Sequence, residues 1–474
     1  MRRPNPQPGV YRMAFVWRIC LVAAMGGLLF GYDWVVIGGA KPFYEPALGI
    51  TDQPAGTREF LQGVAMSSAL VGCLFGAVLS GVLTDRFGRR RLLIAAGFLF
   101  TLSAVGTALA NGLVQFNLYR WLGGIAIGLA SNLSPLYIAE IAPAERRGEL
   151  VSINQLTIVI GILAAQIINW LIAQPVPEGA SAALIRHSWN GQYGWRWMFG
   201  AETVPASLFF LLMFSVPESP RWLVKFGRDE QARRILDCVG GPEYAEAQLA
   251  NIRATLAEEE IARVRFGDLL DPGVFKMIRL GVVLALFQQW CGINVIFNYA
   301  QEVFEAAGYG VSDIMLNIVI TGLVNLIFTF VAIYTVDRFG RRPLMLFGAG
   351  GLAVLYTALA TGYYYSSQGG HMLVLVVAAI ACYAMSLAPV TWVVISEIFP
   401  NRIRGAAMSV AVVSLWTGCT ALTFTFPFLK RALGAHGTFW LYAVICVAGF
   451  VYIRLRLPET KGKSLEDIER EMVD

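Results

Sequence analysis

Three short charged motifs occur twice in this chain of 474 residues, in the same order each time. The string Asp-Arg-Phe-Gly-Arg-Arg begins at Asp85 and begins again 252 residues later, at Asp337. Each string is followed by a second motif, a glutamate seven residues before an Arg-Gly pair. The glutamate is Glu140 in the first copy and Glu397 in the second. The third motif is the pair of strings Pro217-Glu218-Ser219 and Pro458-Glu459-Thr460. Recurrence over such a distance indicates two copies of one unit joined in tandem.

The composition places both copies in a membrane, because 56% of the residues are hydrophobic and only 15% are charged. Twelve apolar blocks are each long enough to cross about 30 Å of hydrocarbon at roughly 20 residues per helix. They lie at about 14–40, 60–83, 92–111, 114–139, 150–174, 197–216, 276–304, 312–336, 343–364, 371–395, 404–429 and 437–457. We therefore predict an all-α membrane protein with a six-helix bundle at 1–216, a cytoplasmic helical connector at 217–275, a second six-helix bundle at 276–457 and a cytoplasmic tail at 458–474. In repeats of this kind the substrate site lies where the halves meet.

The net charge of +5 is explained by orientation rather than by nucleic-acid binding. Basic clusters fall in alternate connections between the blocks, and the positive-inside rule then places both termini and the connector in the cytoplasm. The first block is too long for a signal peptide and contains Asp33, so we predict that it is the first span. The short outer loop after span 1 and the lack of an exposed glycosylation acceptor favour a bacterial inner membrane. We expect the chain, which contains both bundles, to work as a monomer.

Catalytic and metal chemistry is not indicated by the sequence. The seven cysteines are scattered without metal-ligand spacing, and the three histidines lie near predicted loops. No phosphate-binding loop is present, which argues against an ATP-driven pump. We expect no enzyme activity, no metal and no cofactor. In the connector, charged residues alternate with apolar residues at helical spacing. This pattern favours a solvated helical connector, or alternatively a latch that packs beneath the bundle.

Two charged residues stand inside the predicted spans of the first half. Asp33 lies about 25 Å along its helix from the cytoplasmic start, and Arg120 is one to two turns below the outer start of span 4, at 1.5 Å per residue. Both then lie in the outer half of the bundle, where they can pair. A carboxylate at this depth normally faces a partner or a pathway. The pair is interpreted either as a proton-coupling site or as a static ion pair between spans 1 and 4.

A polar stripe follows spans 5 and 7. Gln288, Gln289 and Asn294 cluster on span 7, and positions 289 and 294 are about 140° apart on a regular helix, which favours a break near Gly292. Amides inside a membrane bundle point inward, where they either join helices or bind a ligand. With a tryptophan such as Trp392 they suit a neutral polyhydroxylated ring.

These residues resemble the sugar porter family of the major facilitator superfamily along nearly the whole chain. The matching strings are Gly31-Tyr32-Asp33, Asp85-Arg86-Phe87-Gly88-Arg89-Arg90, Tyr137-Ile138-Ala139-Glu140, Pro217-Glu218-Ser219-Pro220-Arg221, Gln288-Gln289, Gly292-Ile293-Asn294, Pro389, Trp392 and Pro458-Glu459-Thr460-Lys461-Gly462. Each string alone is weak, but the ordered set is highly specific.

The resemblance implies a role for each motif. The carboxylate of Asp33 takes the coupling proton, with Arg120 as its partner. The expected sugar-binding residues are Gln155, Gln288, Gln289, Asn294, Asn298, Trp392 and Trp416. The expected cytoplasmic gating network is Asp85, Arg86, Arg90, Glu140, Arg147, Glu202, Arg341, Glu397 and Arg404.

The chain also departs from the family pattern at three positions. Asn298 stands where many relatives have a tyrosine, Leu415 precedes Trp416 where an amide is common, and Ala388 replaces a glycine before Pro389. These departures leave the identity of the sugar open. We predict a proton-coupled symporter of a hexose or pentose, such as glucose or xylose, that works by alternating access. The alternatives are a uniporter in which Asp33 is structural, and a non-transporting sugar sensor.

Overall fold

The computed structural model describes residues 11–177, 179–261, 271–399 and 404–461, and gives only the backbone at 258–261, 337, 404 and 405. All regular structure in these ranges is helical. The ranges leave out part of the predicted connector and most of the tail. The side chain of Arg404, assigned above to the gating network, is also outside them.

The first half consists of helices α1 to α8. Their bounds are α1 Met13–Ala47, α2 Thr57–Phe87, α3 Arg89–Ala108, α4 Leu113–Ile141, α5 Arg147–Ile172, α6 Ala182–His187, α7 Trp195–Gly200 and α8 Thr203–Met213, with a 3-10 turn at Ala144–Arg146 and a π turn at Asn190–Gly194. The connector helices are α9 Pro220–Lys225 and α10 Asp229–Ile261, the latter kinked at Gly241.

The second half consists of helices α11 to α18. Their bounds are α11 Pro272–Trp290, α12 Ile293–Asn298, α13 Ala300–Ala306, α14 Val311–Phe339, α15 Arg341–Tyr364, α16 Gly370–Ala384, α17 Leu387–Ile398 and α18 Arg404–Arg456. Ten stretches of the described chain are long and apolar enough to cross a membrane. Non-helical Gly434, with φ of 69°, divides the last stretch into two spans. The short pair α7 and α8 supplies the remaining span, so each of the twelve predicted blocks corresponds to helix.

The two halves repeat one packing arrangement. In the first half α4 packs against α2 and α3, and in the second half α16 packs against α14 and α15. The halves meet along two seams, where α5 packs against α14 and α2 packs against α18. The repeated charged strings and the connector lie on one face of the molecule, here called the motif face. The fold is therefore the predicted pair of pseudo-symmetric six-helix bundles.

The start of the chain is tied to the connector on the motif face. The amide of Arg12 donates to the carbonyl of Val239 at 2.8 Å, and the Tyr11 hydroxyl donates to Glu145 at 2.8 Å. The Tyr11 ring also contacts the Tyr244 ring edge-on, at 5.5 Å. Burial and the bond to Glu145 raise the pKa of Tyr11 to about 12, so the phenol remains a donor at physiological pH.

Candidate coupling and substrate site

Asp33 and Arg120 form a buried ion pair inside the first half. Asp33 on α1 is 1% exposed, and Arg120 on α4 is 2% exposed. The guanidinium contacts the carboxylate through Nη1 and donates from Nη2 to the main-chain carbonyl of Asp33 at 3.0 Å. Its Cζ lies 5.4 Å from the centre of the Phe199 ring. The structure thus brings together the two charges that the depth argument paired.

Glu202 lies in the same place, against Asp33. Its side chain is buried, and its carboxyl is within hydrogen-bonding reach of the Asp33 carboxyl. Asp33 Oδ2 and Glu202 Oε1 have no hydrogen-bond donor among the described residues. Two carboxyls can bond to each other only when one of them carries a proton. The expectation that Glu202 belongs to the gating network on the motif face is wrong, because Glu202 follows α7 near the opposite end of span 6.

Glycines allow α1 to approach its neighbours around this pair. A Cβ on Gly123 of α4 would lie 2.4 Å from Ser103 Oγ and 2.8 Å from Asp33 Oδ2. A Cβ on Gly31 would lie 1.9 Å from the carbonyl oxygen of Ile158 on α5. Such distances are far below van der Waals contact, so only glycine permits these approaches. The carboxylate of Asp33 is consequently held between α1 and α4.

The amides of span 7 form a hydrogen-bonded chain around a helix break. Gly292 has φ of 91°, a left-handed conformation that favours glycine, and it separates α11 from α12 as predicted. Gln289 Nε2 donates to Gln288 Oε1 at 3.3 Å, and Asn294 Nδ2 donates to Gln289 Oε1 at 2.5 Å. The break turns side chains from two helices toward each other. The three amides thus converge.

A second helix break anchors one end of this chain. α16 ends at Ala384 and α17 begins at Leu387, with Ser386 in a non-helical conformation between them. Gln288 Nε2 donates to the carbonyls of Leu387 and Ala388 at 3.3 and 3.1 Å. Pro389 adds no amide donor in this turn. The chain of amides is therefore fixed to α17 through main-chain acceptors.

Aromatic side chains from both halves meet beside α1. Phe30 and Trp34 of α1 contact Trp416 of α18, with ring centres 6.0 and 5.8 Å away. Trp416 is 4% exposed, whereas Trp392 on α17 is 38% exposed. Trp34 was not among the predicted site residues. The only sequence signal for it is its position next to Asp33.

The remaining predicted sugar residues occupy different environments. Gln155 on α5 is exposed, and within the described ranges neither it nor Trp392 makes a side-chain hydrogen bond. Asn298 at the end of α12 is 4% exposed, and its Oδ1 has no partner among the described residues. A Cβ on Gly38 of α1 would lie 3.2 Å from the Asn298 carbonyl oxygen. Asn298 thus packs against α1, and Gln155 and Trp392 keep free polar groups.

The repeated motifs build the same structure in each half. In the first half Arg89 pairs with Glu140 at 2.8 Å, and Glu218 accepts from the main-chain amides of Arg89 and Arg90 at 2.9 and 3.1 Å. Gly88 has φ of 86° at the start of α3. The Glu218 carboxylate therefore binds at a helix N-terminus, where the free amides and the dipole favour it.

The second half repeats these contacts with corresponding residues. Arg341 pairs with Glu397 at 3.0 Å, and Glu459 accepts from the amides of Arg341 and Arg342 at 3.0 and 3.1 Å. Gly340 has φ of 92°. Thr460 Oγ1 adds a bond to Glu397 at 2.6 Å. Each set of contacts lies within its own half of the molecule, so neither set joins the two halves directly.

The predicted gating network requires further correction on the motif face. Arg86 is exposed and lies over the Phe87 ring at 5.3 Å, and the partner of Glu140 is Arg89, which sequence reasoning missed. Arg147 is exposed and makes no ion pair within the described residues. Of the other residues assigned to the network, Asp85 pairs with Lys225 at 2.9 Å, and Arg90 Nη2 donates to the Phe214 carbonyl at 2.6 Å.

The ion pairs between the halves lie on the face opposite the motif face. Lys41 of α1 is 1% exposed and contacts Glu302 of α13, and its Nζ is 3.3 Å from Glu45. Arg431 of α18 approaches Glu59 of α2 at 3.4 Å. Both of these contacts join the first half to the second. The molecule is therefore held shut on the opposite face.

Comparison with known proteins agrees with this architecture. Residues 19–472 match the family model described as "Sugar (and other) transporter". The chain is 40% identical to the D-xylose-proton symporter of Escherichia coli, with 97% of this chain and 96% of that one covered. It is 37% identical to the arabinose-proton symporter of Bacillus subtilis, with 98% and 97% covered.

A solved structure also matches closely. The inward-open conformation of the xylose transporter from E. coli superposes with a TM-score of 0.84 at 38% identity, covering 96% of this chain and 99% of that one. The match over both halves, the repeated motifs and the twelve spans lead to one conclusion. The chain belongs to the sugar transporter family, as a multi-pass membrane protein that is a transporter and not an enzyme.

Proposed function

We propose that this chain is a proton-coupled monosaccharide symporter of a bacterial inner membrane, with the motif face and both termini in the cytoplasm. The observation that carries the proposal is the buried group of Asp33, Glu202 and Arg120. Two carboxyls face one guanidinium there, and the carboxyls lie within hydrogen-bonding reach of each other.

The charge of this group supplies the coupling. With both carboxylates ionised the group carries one uncompensated negative charge, which is costly to bury in an apolar environment. One proton shared by Asp33 and Glu202 makes the group neutral. Closing the bundle around the group is therefore easier when the proton is bound, and opening it to the cytoplasm lets the proton leave.

Helix α1 links the proton to the sugar. Asp33 contacts Arg120 inside the first half, whereas the next residue, Trp34, contacts Trp416 of the second half. Gly38 of the same helix packs against the Asn298 carbonyl. A change in the position of α1 when the proton binds therefore also moves one wall of the proposed sugar site.

The proposed sugar site consists of the amides Gln288, Gln289 and Asn294, with Trp392 and Trp416 as aromatic walls and Gln155 and Asn298 as further amides. Amides offer both donors and acceptors to hydroxyl groups, and no charged side chain belongs to the set. A neutral ring sugar is the ligand that such a set recognises. We propose a pentose as the first candidate, because the two relatives above are named for xylose and arabinose.

Transport then follows alternating access between the bundles 1–216 and 276–457. Sugar and proton enter from outside when the Lys41–Glu302 contact is separated, and both leave when the motif face opens. The pairs Arg89–Glu140 and Arg341–Glu397 hold the helix ends of each bundle as it rotates. We propose that one chain completes this cycle as a monomer, with the connector 217–275 and the tail 458–474 on the cytoplasmic side.

Purified protein in liposomes tests this function. Sugar added outside vesicles that contain a pH-sensitive dye should acidify the lumen, and competition among xylose, arabinose, glucose, galactose and fructose identifies the preferred substrate. Rapid sugar uptake without acidification would support a uniporter with a static Asp33–Arg120 pair. Sugar binding without any flux would support a sensor.

A further inference from the structure

A basic cavity on the motif face lies outside the coupling and sugar sites. Its volume is about 350 Å³, and it opens between the start of α11, the start of α15 and the end of α18. Five of its lining residues are cations, Lys276, Arg279, Arg342, Arg454 and Arg456, and none is acidic. Lys276 and Arg279 are three residues apart on α11, so they lie on the same side of that helix.

The cations of this cavity have no anionic partner among the residues that the structure describes. Within the described ranges the side chains of Lys276, Arg279, Arg454 and Arg456 take part in no ion pair, and Arg342 Nε is buried without an acceptor. The Arg342 side chain is held by its Nη2 bond to the Arg454 carbonyl at 2.7 Å. Like charges that line one cavity repel each other, so an anion in the cavity relieves an unfavourable arrangement.

The pseudo-symmetry supplies an internal comparison. Arg90 and Arg342 make equivalent bonds to the ends of spans 6 and 12 in their own halves. Span 6 ends in the uncharged string Met213-Phe214-Ser215, whereas span 12 ends in Arg454-Leu455-Arg456. The two halves share the motif contacts but not these arginines. The cations are therefore additional to the machinery that the halves have in common.

A lipid-facing surface leads into the cavity. Val444, Val447, Val451 and Leu455 of α18 are 64%, 53%, 47% and 73% exposed, and their spacing places them along one side of the helix. This apolar strip ends at Leu455, which also lines the cavity. An acyl chain along the strip would place its headgroup beside Arg454 and Arg456. Basic pockets between spans on this side of a membrane bind anionic headgroups.

We propose that this cavity binds the phosphate group of an anionic phospholipid from the leaflet on the motif face. The phosphate accepts bonds from Lys276, Arg279 and Arg456, and the acyl chains lie along α18. The bound lipid ties the N-terminal parts of α11 and α15 to the end of α18, so it stabilises the second half.

The test titrates detergent-purified full-length protein with phosphatidylglycerol, phosphatidylcholine or inorganic phosphate. Native mass spectrometry counts retained lipid, and a thermal melt follows stability. The variant carries Lys276→Gln, Arg279→Gln and Arg456→Gln. The matched control removes three exposed cations elsewhere on the chain, by Arg18→Gln, Arg91→Gln and Arg234→Gln. The single variant Arg456→Gln serves if the triple variant does not fold.

The proposal requires retention of phosphatidylglycerol, and a higher melting temperature with it, in the wild type and the control. The triple variant should bind phosphatidylglycerol on the order of 100-fold more weakly, and Arg456→Gln about fivefold more weakly. Each cation near the membrane surface adds about the same increment to the binding free energy. The proposal is wrong if phosphatidylcholine is retained as well as phosphatidylglycerol, or if the triple variant binds phosphatidylglycerol as well as the control does. It is also wrong if inorganic phosphate raises the melting temperature as much as the lipid does.

A competing occupant is the acidic end of the chain itself. Residues 462–474 include Glu466, Asp467, Glu469 and Glu471. A full-length variant with these four residues changed to amides should bind phosphatidylglycerol as the wild type does. If the wild type binds none and this variant gains binding, the tail fills the cavity and the lipid proposal is wrong.

Discussion

Asp33 and Trp34 are consecutive on α1 and contact different halves of the molecule. Asp33 pairs with Arg120 of the first half, and the Trp34 ring lies 5.8 Å from that of Trp416 in the second half. Successive residues of a helix are turned by about 100°. One helix thus carries the proposed proton site on one side and a wall of the proposed sugar site on another.

Removal of Glu202 tests the shared proton. In Glu202→Gln the remaining charges of Asp33 and Arg120 compensate each other, so a proton is bound less readily. We expect half-maximal sugar accumulation to move to lower external pH, while exchange of labelled for unlabelled sugar continues. The pH profiles of accumulation and exchange in liposomes measure this. An accumulation profile identical to the wild type would show that Glu202 takes no part.

The corrected pairing on the motif face gives a matched comparison. Arg89→Gln leaves Glu140 buried without its cation and should destabilise the protein by about 3 kcal/mol. Arg86→Gln, at an exposed position in the same motif, should change stability by less than about 0.5 kcal/mol. Thermal melts in detergent compare the two. The double variant Arg89→Gln with Glu140→Gln should recover part of the loss, and a larger effect of Arg86→Gln would contradict the assignment.

The contact between Lys41 and Glu302 should control opening on the face opposite the motif face. Lys41→Met leaves Glu45 and Glu302 as buried carboxylates without their cation, which favours the state in which water reaches them. Hydrogen exchange in Ala300–Ala306 should become faster than in the wild type. Arg58→Gln, whose side chain is 43% exposed on the same face, is the control. The charge reversal Lys41→Glu with Glu302→Lys should restore slow exchange, and unchanged exchange in Lys41→Met would refute the role.

The amide chain makes a prediction about sugar affinity. Asn294→Ala removes a donor and acceptor beside Gln289, and the loss of a hydrogen bond to a buried ligand costs about 1–3 kcal/mol, or roughly 5- to 150-fold in Kd. Gln301→Ala changes an amide on α13 that donates to Glu305 at 2.6 Å, outside the proposed sugar site, and should leave the affinity unchanged. Isothermal titration with the preferred sugar measures both. Equal affinities in the two variants would place the sugar elsewhere.

The sequence predicted the spans, the halves and the Asp33–Arg120 pair, because apolar length and depth along a helix fix all three. The same depth argument applies to Glu202, which stands near the start of predicted span 6 just as Arg120 stands near the start of span 4. Its assignment to the gating network came from the resemblance rather than from depth, and it was wrong. The repeat could also have identified Arg89 as a member of the network. Arg89 and Arg341 occupy the same position in the two copies of the motif, 252 residues apart.

Other features could not be read from one sequence. Predicted span 1 ended at residue 40, but α1 continues through Pro42 to Ala47, which carries Lys41 into the contact with Glu302. The proximity of Trp34 to Trp416 depends on how two helices from different halves face each other. Periodicity within one helix carries no information about that arrangement.

The most direct test of the account is the Asp33→Asn variant in liposomes with an imposed proton gradient. Loss of the ionisable group should abolish sugar accumulation against its gradient and sugar-driven acidification, while counterflow exchange persists because the sugar site is intact. Accumulation by Asp33→Asn equal to that of the wild type would contradict proton coupling through Asp33.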